Sequence, residues 1–275
     1  MEVSEHTSGK TRREIITFRQ ETGFIKTMDD IAVEEPLAID IEELNGDSER
    51  VGVIMRTPIM DNYLAAGFLY SEGFLSGPAD IDGIDGIEYD GVSRRNHVTV
   101  RLSGKISFRV QTRFINSACG VCGRSTIADL LMRHGKIRDD ARIDLHTILS
   151  LPAKMAYAQS LFMTTGGVHA AALFDTDGYL KIACEDIGRH NAVDKVIGYT
   201  MIENVDMDAG ILMVSGRAGF EIVEKAFIAG FPIVASVSAP SSLAVQVAES
   251  MGITLICFLR NDRFNVYSHP ERILP

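Results

Sequence analysis

The stretch ILMVSGRAGFEIVEKAFIAGFPIVASVSAPSSLAVQVAESMGITLICFLR, residues 211–260, decides the fold. Three short apolar runs, ILMVS (211–215), PIVASVS (232–238) and TLICFLR (254–260), alternate with helical patterns over 219–229 and 241–251. Short buried strands separated by helices pair in parallel through right-handed crossovers. Parallel pairing brings all three strand ends to one sheet edge, which would then carry Arg217, Arg260 and Arg263, several hydroxyls and two helix N-termini. The first end, Ser215-Gly216-Arg217-Ala218-Gly219, runs from strand through a glycine turn into a helix. Such turns hold anions because backbone N–H groups and the helix dipole point outward. The sequence is neither a P-loop nor G-x-G-x-x-G, so alone it is a weak signal. The competing reading is ordinary helix capping by serine, with solvated arginines.

Upstream of this core, HAAALFD (169–175) and YLKIACED (179–186) read as a hairpin through Thr176-Asp177-Gly178. Helices are expected over 125–134, ended by Gly135, and over 152–164 and 190–200. Glu185 to Lys195 concentrates polar groups: Asp186 or Asn191 would cap the helix that follows, and His190 reads either as a proton carrier or as a satisfied turn histidine. The same two readings apply to His169.

Before residue 112 the rhythm differs. PLAIDIEEL (36–44) alternates in strand fashion, Asn45-Gly46 is a hairpin turn, and VGVIM (51–55) returns. Met60 to Ser71 is helical, 76–86 is a Gly/Pro/Asp-rich connection, and HVTVRL (97–102) with KISFRVQ (105–111) reads as a second hairpin about Ser103-Gly104. Residues 1–14 look frayed and ITFRQ (16–20) extended. The expected fold is therefore α/β: an N-terminal antiparallel α+β domain, 1–112, and an α/β domain with parallel C-terminal strands, 113–275.

The 275 residues are 46% hydrophobic and 23% charged, a globular balance. With 27 Lys+Arg against 37 Asp+Glu the net charge is −10, which disfavours nucleic-acid binding. Nine acids and no Lys or Arg fall in 29–49, a solvated face or a docking face for a basic partner. No apolar run approaches the roughly 18–20 residues of a membrane helix. No secretory signal is visible, so a reducing, cytoplasmic location is expected.

Of four cysteines, Cys184 and Cys257 sit in apolar runs and read as inert. Cys119 and Cys122 form a C-x-x-C within NSACGVCGRS (116–125). Gly120 and Gly123 leave the sulfurs accessible, and a following helix start with Arg124 favours thiolate, the nucleophilic form. Two buried structural cysteines, a zinc site and a thioredoxin-like dithiol are the alternatives; zinc lacks a second ligand pair, so no metal is expected. Hydrolytic deamination is disfavoured, because His169-Ala170-Ala171 has alanine where a zinc deaminase has its proton-moving glutamate.

In order along the chain, EEPLAIDIEELNG (34–46), MRTP (55–58), GFLYSEG (67–73), SACGVCG (117–123), TGGVHAAAL (165–173), EDIGRHNAVDKVIG (185–198), SGRAGFEIVEKA (215–226), SAPSSLAV (238–245) and FLRNDRFNVYSHPERI (258–273) resemble the formate dehydrogenase accessory sulfurtransferase family, FdhD. The resemblance spans nearly the whole chain. It implies a protein that accepts sulfane sulfur from a cysteine desulfurase as a persulfide and passes it to the molybdenum or tungsten bis(guanine dinucleotide) cofactor of formate dehydrogenase. It places the persulfide on Cys119, with Cys122 relaying or resolving it. It places the cofactor segment on Phe258, Leu259, Arg260, Asn261, Asp262 and Arg263. It also implies a cytidine-deaminase-like second half. The strand-end residues Ser215, Gly216, Arg217 and Gly219 complete the expected cofactor site. A cofactor-binding chaperone without sulfur chemistry and a thiol oxidoreductase are the rival functions. A homodimer is left open.

Overall fold

The computed structural model describes residues 9–89, 92–104, 131–132, 135–137, 141–205 and 210–275. The chain opens with a two-stranded antiparallel ribbon, β1 (Lys10–Arg19) and β2 (Gly23–Ala32). Its first strand begins inside the segment expected to fray, because Lys10 to Glu14 pair with Met28 to Ala32. A four-stranded sheet follows, built from β3 (Glu35–Glu42), β4 (Ser48–Arg56), β5 (Ile81–Tyr89) and β6 (Val92–Leu102) in the order β4-β3-β6-β5. The β3–β4 turn is the expected Asn-Gly one: Gly46 takes φ +84° and the Asn45 side chain bonds Asp47. Strand β5 was unexpected, because Asp82, Gly83 and Gly86 read as a loop; it pairs with β6 antiparallel, while β3 and β6 run parallel. KISFRVQ lies outside the described residues. Helix α1 (Asp61–Ser71) packs over this sheet.

In the second half the order is β7 (Ile143–Asp144), α2 (Leu145–Ala158), α3 (Ser160–Thr165), β8 (His169–Phe174), β9 (Leu180–Asp186), α4 (Arg189–Ile202), β10 (Ile211–Val214), α5 (Phe220–Ile228), β11 (Ile233–Ser236), α6 (Ser242–Met251), β12 (Thr254–Cys257), β13 (Asn265–Ser268) and β14 (Ile273–Leu274), the last pairing with β7. Six strands form one sheet, β13-β12-β11-β10-β8-β9. The expected parallel series is its centre, β10, β11 and β12, and the outer strands are antiparallel.

Three further expectations need correction. Strand β12 stops at Cys257 instead of running to Arg260, because Phe258 turns the chain with φ +52°. Helix α2 starts at Leu145, not 152: Asp144 caps it by accepting from His146 and Thr147 N–H, and Pro152, which resembles a helix start, sits inside. Helix α4 is capped by neither Asp186 nor Asn191; Gly188 is its N-cap, and Asp186 accepts from the Gly188 N–H instead.

The large sheet is covered on both faces, as parallel sheets require. Leu212, Val214 and Leu255 face α4, α5 and α6 and share one apolar core with Leu37, Val100 and Phe68 of the N-terminal sheet and α1. Met213, Ile256 and Phe174 face α2 through Ile148, Leu151 and Met155.

Helices α1 and α4 meet backbone to backbone. A Cβ on Gly67 would fall 1.8 Å from the Asp194 carbonyl oxygen, and one on Gly198 1.8 Å from that of Tyr63. Only glycine permits this approach. Beside the crossing runs a buried polar seam. The Asp186 carboxylate accepts from Lys195 Nζ (2.6 Å), Thr57 N (3.1 Å), Gly188 N and Asn191 Nδ2. Lys195 also donates to the Thr57 and Glu185 carbonyls, and Asn191 to that of Met55. A second pair, Asp194 with Lys225, takes a further bond from Ser71. Both charges of each pair are buried; Asp186, Lys195 and Asp194 carry hydrogen bonds beyond their partners, and Lys225 has Glu72 3.9 Å away, the condition under which buried ions are tolerated.

Candidate functional site

Strands β10, β11 and β12 end on one edge of the sheet, and hydrogen bonds sew the loops that follow into one surface. Ser236 Oγ donates to the Gly216 carbonyl (2.7 Å), and Ala218 N to that of Ala239 (3.1 Å). Phe258 N donates to Ser238 O and Leu259 N to Ser236 O. Arg260 Nη1 donates to the Val237 and Leu259 carbonyls, tying the third loop to the second. These bonds hold Phe258 in a left-handed conformation that costs a bulky residue about 1–2 kcal/mol. Phe258 as a whole is 41% exposed.

At this edge lies a cleft of about 660 Å3, within the size range of small-molecule sites. Ser215, Val237, Leu259, Arg260 and Asn261 supply the strand-end wall. Gly166, Gly167, Val168 and His169 form the approach to β8, and Met155, Ala156, Gln159 and Phe162 the opposite, largely apolar wall. Two hydrogen bonds fix the floor: Ser215 N donates to Ala170 O, and Ala170 N to Ser215 Oγ.

Of the residues expected to bind cofactor, Ser215, Leu259, Arg260 and Asn261 line this cleft. Gly216 abuts it, since a Cβ there would sit 3.4 Å from His169 Nδ1. Arg217 is exposed, and Gly219 is the N-cap of α5 at φ −82°, a value any residue adopts. Phe258 stands on the preceding turn; Asp262 and Arg263 are exposed and 3.9 Å apart. Cys119 and Cys122 lie outside the described residues. Cys184 and Cys257 are the inert core thiols expected, fully buried and pushed up to about 12 by that burial.

The two histidines separate. His190 pairs with Glu221 at 2.8 Å, joining the first turns of α4 and α5. His169 faces the cleft, and its pKa is lowered, first by burial and then by the Arg189 cation, with Asp186 opposing. It is a neutral imidazole at neutral pH. The α2–α3 wall was not legible as a binding surface; the Gly166-Gly167 pair beside His169 was the one local sign of it. The Glu185–Lys195 segment, which looked chemical, is the buried seam, and Glu185 accepts from the Leu161 and Phe162 N–H groups beneath the cleft wall.

The sequence profile of the FdhD/NarQ family matches residues 32–274. A Thermoplasma acidophilum protein named "Sulfur carrier protein FdhD" is 65% identical over 275 residues, covering 100% of this chain and 98% of that one. The crystal structure of a formate dehydrogenase accessory protein from Desulfotalea psychrophila superposes with a TM-score of 0.76 at 25% identity, over 96% of this chain and 99% of its own. A guanine deaminase from Nitrosomonas europaea aligns with 55% of this chain and 93% of its own at a TM-score of only 0.33, too slight a likeness to argue from. The strand-end cleft, the ordered motifs and a profile match running almost from end to end agree: the chain belongs to the FdhD/NarQ family.

Proposed function

We propose that this protein is a sulfurtransferase that serves formate dehydrogenase as a sulfur carrier. The observation that carries the reading is end-to-end identity of 65% with a protein named as a sulfur carrier, in a chain whose sequence has a C-x-x-C flanked by glycines. The Cys119 thiolate attacks the terminal sulfur of a persulfide on a cysteine desulfurase. The donor S–S bond breaks, the donor cysteine leaves as thiolate, and Cys119 becomes the persulfide. Cys122 relays the sulfur or resolves the intermediate. A thiolate is required at the start, and the nearby Arg124 in the sequence would favour it.

The acceptor is the molybdenum or tungsten bis(guanine dinucleotide) cofactor, handled as substrate. The strand-end cleft supports this part of the reading. Its polar side, Ser215, Arg260 and Asn261, suits a phosphorylated guanine arm, and the apolar α2–α3 wall suits the face of a planar ring. Arg217 and Arg263 stand outside the cleft wall, exposed, where they can meet phosphate. Arg260 contributes by holding the loop as well as by charge. The reaction belongs in a reducing compartment, the cytoplasm, where free thiols persist.

Incubation with a cysteine desulfurase and cysteine, followed by mass spectrometry, should find one added sulfur on Cys119. Sulfur on Cys184 or Cys257 alone would contradict the assignment. Guanine-nucleotide affinity should fall in Arg217→Ala and Arg260→Ala; unchanged affinity in both removes the cleft from the mechanism.

A further inference from the structure

One corner of the strand-end cleft is not used by the chemistry above. His169 opens β8, Gly216 lies on the turn after β10, and Arg189 is the first residue of α4. The three meet: a Cβ on Gly216 would sit 3.4 Å from His169 Nδ1 and 4.0 Å from Arg189 Cβ. The backbone at Gly216 has no positive φ, so its conformation does not call for glycine. What the missing side chain leaves is room between an imidazole and the stem of a cation.

Both polar side chains of this corner are unspent. Among the described residues the half-buried His169 ring and the exposed Arg189 guanidinium make no hydrogen bond and no ion pair. Their neighbours are all committed. His190 pairs with Glu221, Lys195 with Asp186, and Arg260 with two carbonyls. Helix α4 also starts without a side-chain cap, so its positive end adds to the Arg189 charge. The charged groups around the imidazole are few. Arg189 of α4 opposes its protonation and Asp186 of β9 favours it, but Asp186 is already shared with Lys195. Glu185 is held by the Leu161 and Phe162 N–H groups, Arg217 and Arg260 stand on the neighbouring strand-end turns, and the part of α2–α3 that lines the cleft brings no charge. A cation set beside a histidine, with no anion between them, is repulsive whenever the ring is protonated. A bound anion turns that repulsion into a shared attraction.

We propose that the His169–Gly216–Arg189 corner is the diphosphate subsite of the cleft: Arg189 holds the charge, and His169, taking a proton from solvent as the ligand enters, donates to a phosphate oxygen. The proposal rests on the cleft holding a phosphorylated guanine ligand, and adds to that reading two residues and a coupled proton. Ligand binding then follows pH with a fixed sign. The bound state carries the extra proton, so affinity rises as pH falls through the histidine range.

Titration calorimetry of the full chain with guanosine diphosphate mannose tests this, because its phosphates, being esterified on both sides, do not titrate near neutrality. Guanosine, which has no phosphate, is the companion probe. The diphosphate probe should bind about 10-fold more tightly at about pH 5.5 than at about pH 8, the effect of raising one titration midpoint by about one unit. Its binding heat should vary with the ionisation enthalpy of the buffer, the mark of proton uptake. His169→Gln should flatten the pH profile and remove the uptake. Arg189→Gln should weaken the diphosphate probe about 10-fold at about pH 8 and leave guanosine unaffected. Gly216→Val, which fills the corner, should weaken the diphosphate probe more than guanosine. A diphosphate probe that binds without pH dependence, or that binds Arg189→Gln as tightly as the wild type, overturns the subsite and leaves the cleft reading standing. If neither probe binds the wild type, the subsite and the cleft reading fall together.

Discussion

Two polar segments of this chain look alike on paper and are placed oppositely in the fold. Glu185 to Lys195 and Phe258 to Arg263 each follow a strand and each gather charged and amide side chains. In the first, Glu185, Asp186, Asn191, Asp194 and Lys195 are all buried and are bonded to one another or to the N-terminal half. In the second, all but Leu259 are exposed, and the strained residue, Phe258, is among them. Burial separates them: the polar groups of the first satisfy one another and form a joint, whereas those of the second stay open to solvent, with Leu259, Arg260 and Asn261 on the cleft.

The sharpest way to break the contrast is Lys195→Met. It leaves the Asp186 carboxylate buried beside lost donors and should cost about 3–5 kcal/mol, read as a fall in the denaturant midpoint. Ligand affinity of the folded fraction should not change. Next is Gly198→Ala, whose methyl would strike the Tyr63 carbonyl and force α1 and α4 apart, for about 2–3 kcal/mol in the same measurement.

In the other segment the sign reverses. Phe258→Gly removes the left-handed penalty and should hold or raise stability by up to about 1 kcal/mol, while guanine-nucleotide affinity measured by calorimetry falls. The smallest effect concerns His169. Its NMR titration should have a midpoint below 6.5, and Arg189→Gln should raise it only part of the way, because burial is the larger cause. Since the folded value lies below the unfolded one, the stability His169 contributes is present above about pH 6.5 and is lost as pH falls through the folded value.

Much of this was legible in sequence. The parallel series, the Asn45-Gly46 turn, the 169–186 hairpin and the inert Cys184 and Cys257 follow from patterns of two, of 3.6, and of apolar context. Four of the ten expected cofactor residues converge on one cleft because parallel strands must end together. What was not legible depends on distant partners. Strand β5 is glycine-rich and holds only because β6 pairs with it. Pro152 reads locally as a helix start, yet Asp144 caps the helix earlier. The α2–α3 wall has no polar signature, and the seam pairs Asp186 with Thr57 across 129 positions.

That last bond has a practical corollary. Thr57 and Asp186 lie on either side of residues 105–130 in the sequence, and so do Gly67 and Gly198, so these contacts join the two halves directly. A chain broken once between residues 104 and 131 would yield two fragments that co-migrate under native conditions and part only in denaturant. Either fragment expressed by itself would present a raw groove and stranded ions to solvent.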